Sequence, residues 1–341
     1  GPDTFDGVVY IYNGREGGVP ASPTTRIPGT IDPPTLKFGT AVASAGDVNA
    51  DGHPDLVVAA EDYWATYSYE GEVFVFRGSL DGLVATPATR LANPLHRERG
   101  FFGSDVSSAG DVNGDGFDDL LVGANGQGDM GDEVGGAAFV YLGGPGGILL
   151  DPDVTMDGTL LSGDDGAEFG AAVAGGDLNG DGYSDFVVAA PWLDRGQGGA
   201  FVFAGAATGV SASPYVVLTN PGYAGGVRDV GLGHDVAIAG DVNGDGYSDL
   251  VVGVPSGVGV GYGSVLLYLG GPDGLDSAPD AVIRGPASLG AGFGSSVARR
   301  GRAARPSRGS TWFDPADWWG HGGLVAHVFG GGLTVIHSAA G

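Results

Sequence analysis

Four stretches of the chain carry the same oxygen-bearing side chains at the same spacing. DVNADGHPD starts at Asp47, DVNGDGFDD at Asp111, DLNGDGYSD at Asp177 and DVNGDGYSD at Asp241. In each, carboxylate or amide oxygens stand at positions 1, 3, 5 and 9, and a glycine at 6 permits the sharp bend that would converge them. A hard dication such as Ca²⁺ takes about six to eight oxygens in flexible geometry. The candidate ligands are Asp47, Asn49, Asp51 and Asp55; Asp111, Asn113, Asp115 and Asp119; Asp177, Asn179, Asp181 and Asp185; and Asp241, Asn243, Asp245 and Asp249. The backbone carbonyls of His53, Phe117, Tyr183 and Tyr247 complete each set from position 7. This predicts about four Ca²⁺ sites, one per loop. Mg²⁺ suits them less, because it demands near-octahedral geometry and keeps its waters. The plainer alternative is that Asp-Gly makes a tight turn and binds nothing.

The loops must be held by something that repeats with them. Their starts are 64, 66 and 64 residues apart, and fixed-period self-similarity means one supersecondary unit packed against copies of itself. Each unit opens with a Ser-, Ala- and Gly-rich piece, as at Ala41 to Gly46, Val106 to Gly110 and Ala171 to Gly176. After the loop comes a continuous aliphatic run (Leu56–Val58, Leu120–Val122, Phe186–Val188, Leu250–Val252), which reads as a strand covered on both faces. A third piece carries aromatics two apart, at Phe74 and Phe76, Phe139 and Tyr141, and Phe201 and Phe203. A fourth, weaker piece follows at Ala88 to Leu91, Asp153 to Met156, Tyr215 to Leu218 and Ala281 to Arg284. Four strands per unit, without helical periodicity, predict an all-β fold, a β-propeller of four-stranded blades with the acidic loop between first and second strands. No Glu stands at position 12, so the loop is a strand-loop-strand clasp rather than the helical kind.

The order of these pieces resembles the FG-GAP repeat of integrin α-subunit propellers and of many bacterial surface and secreted proteins. The Phe-Gly pair stands at Phe38-Gly39, Phe102-Gly103, Phe169-Gly170 and Phe293-Gly294, with Leu232-Gly233 in the fourth copy; the GAP-like end varies from Ala59-Ala60-Glu61 to Gly253-Val254-Pro255. The expected organisation is an incomplete leading blade over 1–37, four repeats over 38–101, 102–168, 169–231 and 232–292, and the start of a fifth over 293–341. The resemblance implies seven blades and hence a segment of a larger ring; a five-bladed ring closed by pairing Phe293 to Val297 with the N-terminal strands is the alternative. It also implies a ligand face. In an up-and-down blade the second-third connections and the blade-to-blade connections lie opposite the acidic loops, and integrin propellers use that face. Tyr63, Trp64, Tyr67 and Tyr69 in one such connection, with Trp192 in another, would make an aromatic platform for a protein or carbohydrate ligand. The bland reading is that these rings plug the axial channel.

Composition narrows the partners. A formal charge of −26 argues against nucleic acid and anionic membrane surfaces, which are bound through Lys and Arg. Sixty-nine glycines without a triplet period and an apolar fraction of 42% exclude collagen and disorder. No cysteine is present, which leaves the compartment open, and no apolar stretch reaches the roughly 18 residues that span a bilayer. No catalytic constellation accompanies the six histidines, and His234 beside Asp235 reads as a packed residue. After Val297 the pattern fails: five of the fifteen basic residues fall between Arg299 and Arg308. That stretch reads as a frame-shifted tail, with a basic tail or a degenerate blade as rivals, since GGLVAHVFGG from Gly322 resembles a third strand. The function expected is an extracellular or cell-surface adhesion or recognition module without enzymatic activity; a propeller accessory to a separate enzyme domain is the alternative.

Overall fold

The computed structural model describes residues 7–13, 19–29, 37–61, 69–97, 99–126, 135–162, 166–221, 231–255, 263–285 and 292–298, and the backbone of two further strands at 324–329 and 332–338. Near the start, β1 (Val8–Ile11) and β2 (Thr25–Pro28) pair antiparallel. Four units of four strands follow. The first is β3 (Val42–Gly46), β4 (Asp55–Ala60), β5 (Glu72–Phe76) and β6 (Thr89–Ala92); the second is β7 (Phe102–Gly110), β8 (Asp119–Ala124), β9 (Ala137–Tyr141) and β10 (Val154–Asp157). The third is β11 (Val173–Gly176), β12 (Asp185–Ala190), β13 (Gly199–Phe203) and β14 (Val216–Thr219); the fourth is β15 (Val236–Gly240), β16 (Asp249–Val254), β17 (Ser264–Tyr268) and β18 (Ala281–Arg284). Each unit is one antiparallel sheet with its strands in chain order. All-β blades with the acidic loop between first and second strands are therefore what the chain builds.

The second strands are wholly buried in three units, as their unbroken aliphatic runs require. Their two faces serve two different cores. Leu56 and Val58 pack with Val9, Ile11 and Ile27 of the leading pair, whereas Val57 and Ala59 pack with Leu120, Val122 and Phe139 of the second unit. Further cores lie between the second and third units and between the third and fourth. The apolar cores thus lie between sheets, and each buried Val, Leu, Ile or Phe contributes about 1.5–3 kcal/mol to holding neighbours together.

The Phe-Gly pair has a physical reason. Phe38, Phe102 and Phe169 are at most 2% exposed and meet the third-strand rings Phe74, Phe139 and Phe201 edge-on at 5.6, 5.5 and 5.2 Å. Leu232, fully buried, takes this place in the fourth unit. The following glycine, at φ 88° for Gly103, sits in the left-handed region where a side chain would strike Ala59 and Val73 of the preceding sheet.

Three expectations are corrected. The sequence shows no helical periodicity, yet α1 (Gly158–Ser162) forms, with Asp157 Oδ1 accepting the N–H groups of Thr159 (3.0 Å) and Leu160 (3.3 Å); five residues are too few to leave a periodic signal. A second turn, α2 (Leu193–Gly196), contains Asp194 at φ 48° and Arg195 at φ 62° and is a left-handed bend. At the other end, β19 (Leu324–Phe329) and β20 (Gly332–Ser338) complete a fifth sheet in the order β19-β20-β1-β2. The segment expected to echo a third strand thus takes the first position. Residues 293–298 form a turn and no strand, so they do not pair with the N-terminal strands; β20 does, through Val9↔Ser338 and Tyr10↔His337.

Candidate metal loops and the opposite face

Each acidic loop leaves its first strand at a glycine. Gly46, Gly110 and Gly240 have φ of 79°, 72° and 77°, and the strand register shifts there, as in a β-bulge that re-aims the chain. Beyond the bulge the position-1 aspartate folds back over its own loop: Asp111 Oδ1 accepts the N–H groups of Gly114 (2.7 Å) and Asp115 (3.1 Å), and its Oδ2 that of Gly116 (2.8 Å). Asn113 Oδ1 accepts the Asp115 N–H (2.9 Å) while its amide donates to Asp115 Oδ2 (3.0 Å), and Asp115 Oδ1 accepts the Phe117 N–H (3.1 Å). The Asn-to-Asp link recurs at 3.0, 3.1 and 2.8 Å in the other three loops, so the side chains of positions 3 and 5 meet in every copy.

Position 9 behaves differently from a free ligand. Asp55, Asp119, Asp185 and Asp249 are fully buried, and both oxygens of each accept backbone N–H groups. One oxygen takes the N–H of loop position 2 (Val48, Val112, Leu178, Val242; 3.2, 2.9, 3.0 and 2.6 Å). The other takes that of a glycine just past the third strand (Gly78, Gly143, Gly205, Gly270; 2.8, 2.8, 3.2 and 2.9 Å). The aspartate rivets loop, second strand and third strand together. Burial pushes its carboxyl upward from 3.8, to about 7 at Asp119 and about 6 at Asp185, and upward at Asp55; the backbone N–H groups oppose the rise, while the aspartates at positions 5 and 1 of the same loop add to it. At Asp245, fully exposed, the Tyr247 N–H and the Asn243 side chain lower the carboxyl instead.

The donor set suits an oxygen-seeking dication. Among the described residues the ion pairs join Lys37 to Glu61, Arg90 to Glu72 and Arg97 to Asp157, His96 meets Glu70, and none of these reaches a loop carboxylate. Also among the described residues, no three acidic or imidazole groups gather tightly enough to hold an ion alone. Asn Oδ1 and the position-7 carbonyl therefore belong in any such set, and position 9 supports it with whatever lone pairs the N–H groups leave free.

On the opposite side, Tyr63, Trp64 and Tyr67 lie outside the described residues. Tyr69 has φ 60° and its ring meets Phe101 at 6.0 Å. Trp192 is half-buried and donates its backbone N–H to the Ala167 carbonyl (3.2 Å), so among the described aromatics these two belong to separate blades. Sequence reasoning missed Glu70, which is 2% exposed: its Oε1 meets His96 Nδ1 at 2.9 Å and its Oε2 has no partner. His234 is exposed, not packed, with Nδ1 3.1 Å from the Ser295 carbonyl oxygen. Apart from Ala50 in the first acidic loop, the described non-glycine residues with positive φ gather on this side. Lys37, Phe101 and Glu168 occupy the turn before the Phe-Gly pair in three units, whereas Tyr69, His96, Arg99, Asp194 and Arg195 follow no repeat.

Comparison with known proteins agrees with this architecture. The FG-GAP repeat model matches residues 169–203 and 232–268, and the FG-GAP-like repeat model matches 47–122. Integrin alpha-IIb of Mus musculus is 40% identical over 172 residues, covering 47% of this chain and 16% of that protein. Integrin alpha-5 of Xenopus laevis is 35% identical over 163 residues, covering 46% and 15%. The matched segment is thus a small part of these relatives' length. Among solved structures the Dos1 propeller superposes with a TM-score of 0.44 at 11% identity, over 76% of this chain and 52% of that one.

Proposed function

Because this chain is an FG-GAP repeat β-propeller like that of integrin α subunits, we propose that it is a calcium-stabilised, non-enzymatic recognition module that works outside the cell or at its surface. The observation that carries the reading is the fourfold recurrence of one oxygen donor set, with no cationic side chain paired to it among the described residues. Asp47, Asn49, Asp51 and the His53 carbonyl would hold Ca²⁺ in the first loop, supported by Asp55; the other three loops would use the matching residues. A dication there supplies charge neutralisation for carboxylates that otherwise repel each other. The rest is done by the chain: the bulge aims the loop, glycine at position 6 bends it, and the buried aspartate ties it to two strands.

The partner we propose is a protein or carbohydrate ligand, bound on the face away from the loops. Left-handed strain at Tyr69, His96, Arg99, Asp194 and Arg195 supports that choice, since such strain persists where the surroundings hold it and gathers at ligand-contacting surfaces. Calorimetric titration of metal-stripped protein with Ca²⁺ tests the first half: about four ions with heat release are expected, and melting should rise with occupancy. No heat and no bound ion would end it. For the second half, parent and Trp192→Ala/Tyr69→Ala proteins are screened on glycan and extracellular-protein arrays. Capture by the parent alone, at equal melting temperature, is expected; equal capture by both would move the ligand site elsewhere.

A further inference from the structure

The acidic loops touch one another. The Asp47 carbonyl accepts the N–H of Asp118 (3.2 Å), and the Asp47 N–H donates to Asp118 Oδ2 (2.7 Å). One unit further on, the Asp111 carbonyl accepts the N–H of Ser184 (2.8 Å). Position-2 carbonyls are engaged from the next unit too: Val48 by Gly144 (3.0 Å), Val112 by Ala206 (2.9 Å) and Leu178 by Gly271 (3.2 Å). Ring contacts accompany these links. The Tyr183 ring lies so close over Gly114 that a β-carbon there would stand 2.5 Å from it, and Tyr247 covers Gly180 in the same way at 2.8 Å. Both glycines are at position 4 of the preceding loop, with φ of 75° and 73°.

Resting on the calcium reading above, the geometry points to Tyr183 and Tyr247 as positioning residues for the loop before their own, so that the acidic loops load as one coupled belt. Position 4 lies between the donors at 3 and 5. A ring seated on Gly114 limits the motion of Asn113 and Asp115, and one on Gly180 limits Asn179 and Asp181. The same tyrosines offer their own carbonyls at position 7. Ligation through the Tyr183 carbonyl would fix that residue's backbone and with it the ring, so occupation of loop 177–185 favours occupation of loop 111–119. Linkage makes the effect reciprocal. The side chain at position 7, incidental when only its carbonyl is considered, thus becomes the messenger between sites.

Ca²⁺ titration of the metal-stripped full chain, with Tyr183→Ala and Tyr183→Phe, tests this beside hydrogen exchange of residues 111–119 without metal. In the parent the binding curve should be steeper than that of independent sites. Tyr183→Ala should still take up the parent's number of ions, with at least one site weakened about fivefold, a shallower curve and faster exchange over 111–119. Tyr183→Phe, which keeps the ring, should behave as the parent and guards against a mere folding defect. Unchanged curves and exchange in Tyr183→Ala, with all ions bound, would overturn the coupling and leave the calcium reading standing. Absence of bound ions from every variant would remove both, whatever the exchange showed.

Discussion

Ala50 is the residue at which one loop departs from its copies. It stands at position 4 with φ 54°, where Gly114, Gly180 and Gly244 have φ of 75°, 73° and 82°. A β-carbon is disfavoured there by about 1 kcal/mol, so Ala50→Gly is expected to raise stability by up to that amount, less the entropy lost by a freer unfolded chain. Chemical denaturation of both proteins in chelator measures it. Asp105 poses a second question at this scale. Its oxygens accept the N–H groups of Val106 (2.9 Å) and of Val173 in the next unit (2.8 Å). Burial raises its carboxyl from 3.8 to about 7 against the pull of those N–H groups, with the charge of Asp235 adding to the rise. A raised value means that the fold favours the protonated form. The contribution is therefore full below about 3.8 and lost as pH rises through about 7. Asn mimics the protonated state, so the melting temperature of Asp105→Asn relative to the parent, in chelator, should climb between pH 5 and 8. A flat or falling difference would refute this.

The third strands end in an alternation: Phe76, Tyr141, Phe203, Tyr268. Both tyrosine hydroxyls are buried without a hydrogen-bond partner, and burial drives both phenols well above their usual value. An orphaned hydroxyl costs about 1–3 kcal/mol, so Tyr141→Phe and Tyr268→Phe should be neutral or stabilising. A clear loss of melting temperature in either would mean that the hydroxyl has a partner in solution. Elements were the most legible level. The aliphatic runs, the aromatic spacing and the loop composition lie within contiguous residues, so β4, β8, β12 and β16 could be read directly. What escaped depends on contacts between distant residues. The bond from Gly143 to Asp119 spans 24 residues, and the tyrosine over Gly114 comes from the next unit. In the fifth sheet the strand character of GGLVAHVFGG was legible, but its first position escaped because no acidic loop separates it from β20.

At the scale of the whole molecule, neighbouring sheets share cores, short parallel bridges and loop contacts. The bridges join Gly71 to Phe102, Gly136 to Phe169 and Gly198 to Leu232, each tying the start of one unit to the glycine just before the third strand of the unit before. Unfolding is accordingly expected to spread between neighbours rather than remain in one blade. The second and fourth units share two features that the first and third lack. Both carry an aspartate before the first strand's valine, at Asp105 and Asp235, and a terminal tyrosine on the third, where the first and third units have Ala41 and Ala172, Phe76 and Phe203. Asp105 reaches Val173 of the next unit, and Asp235 reaches the N–H of Val297 (2.7 Å); with Asp118 Oδ2 of the second unit on the Asp47 N–H of the first, carboxylates clasp several seams between units. Excision of the third unit alone would take the Val173 N–H from Asp105 and leave a buried carboxylate short of a donor, so a shortened array should survive best where the cut spares such a clasp.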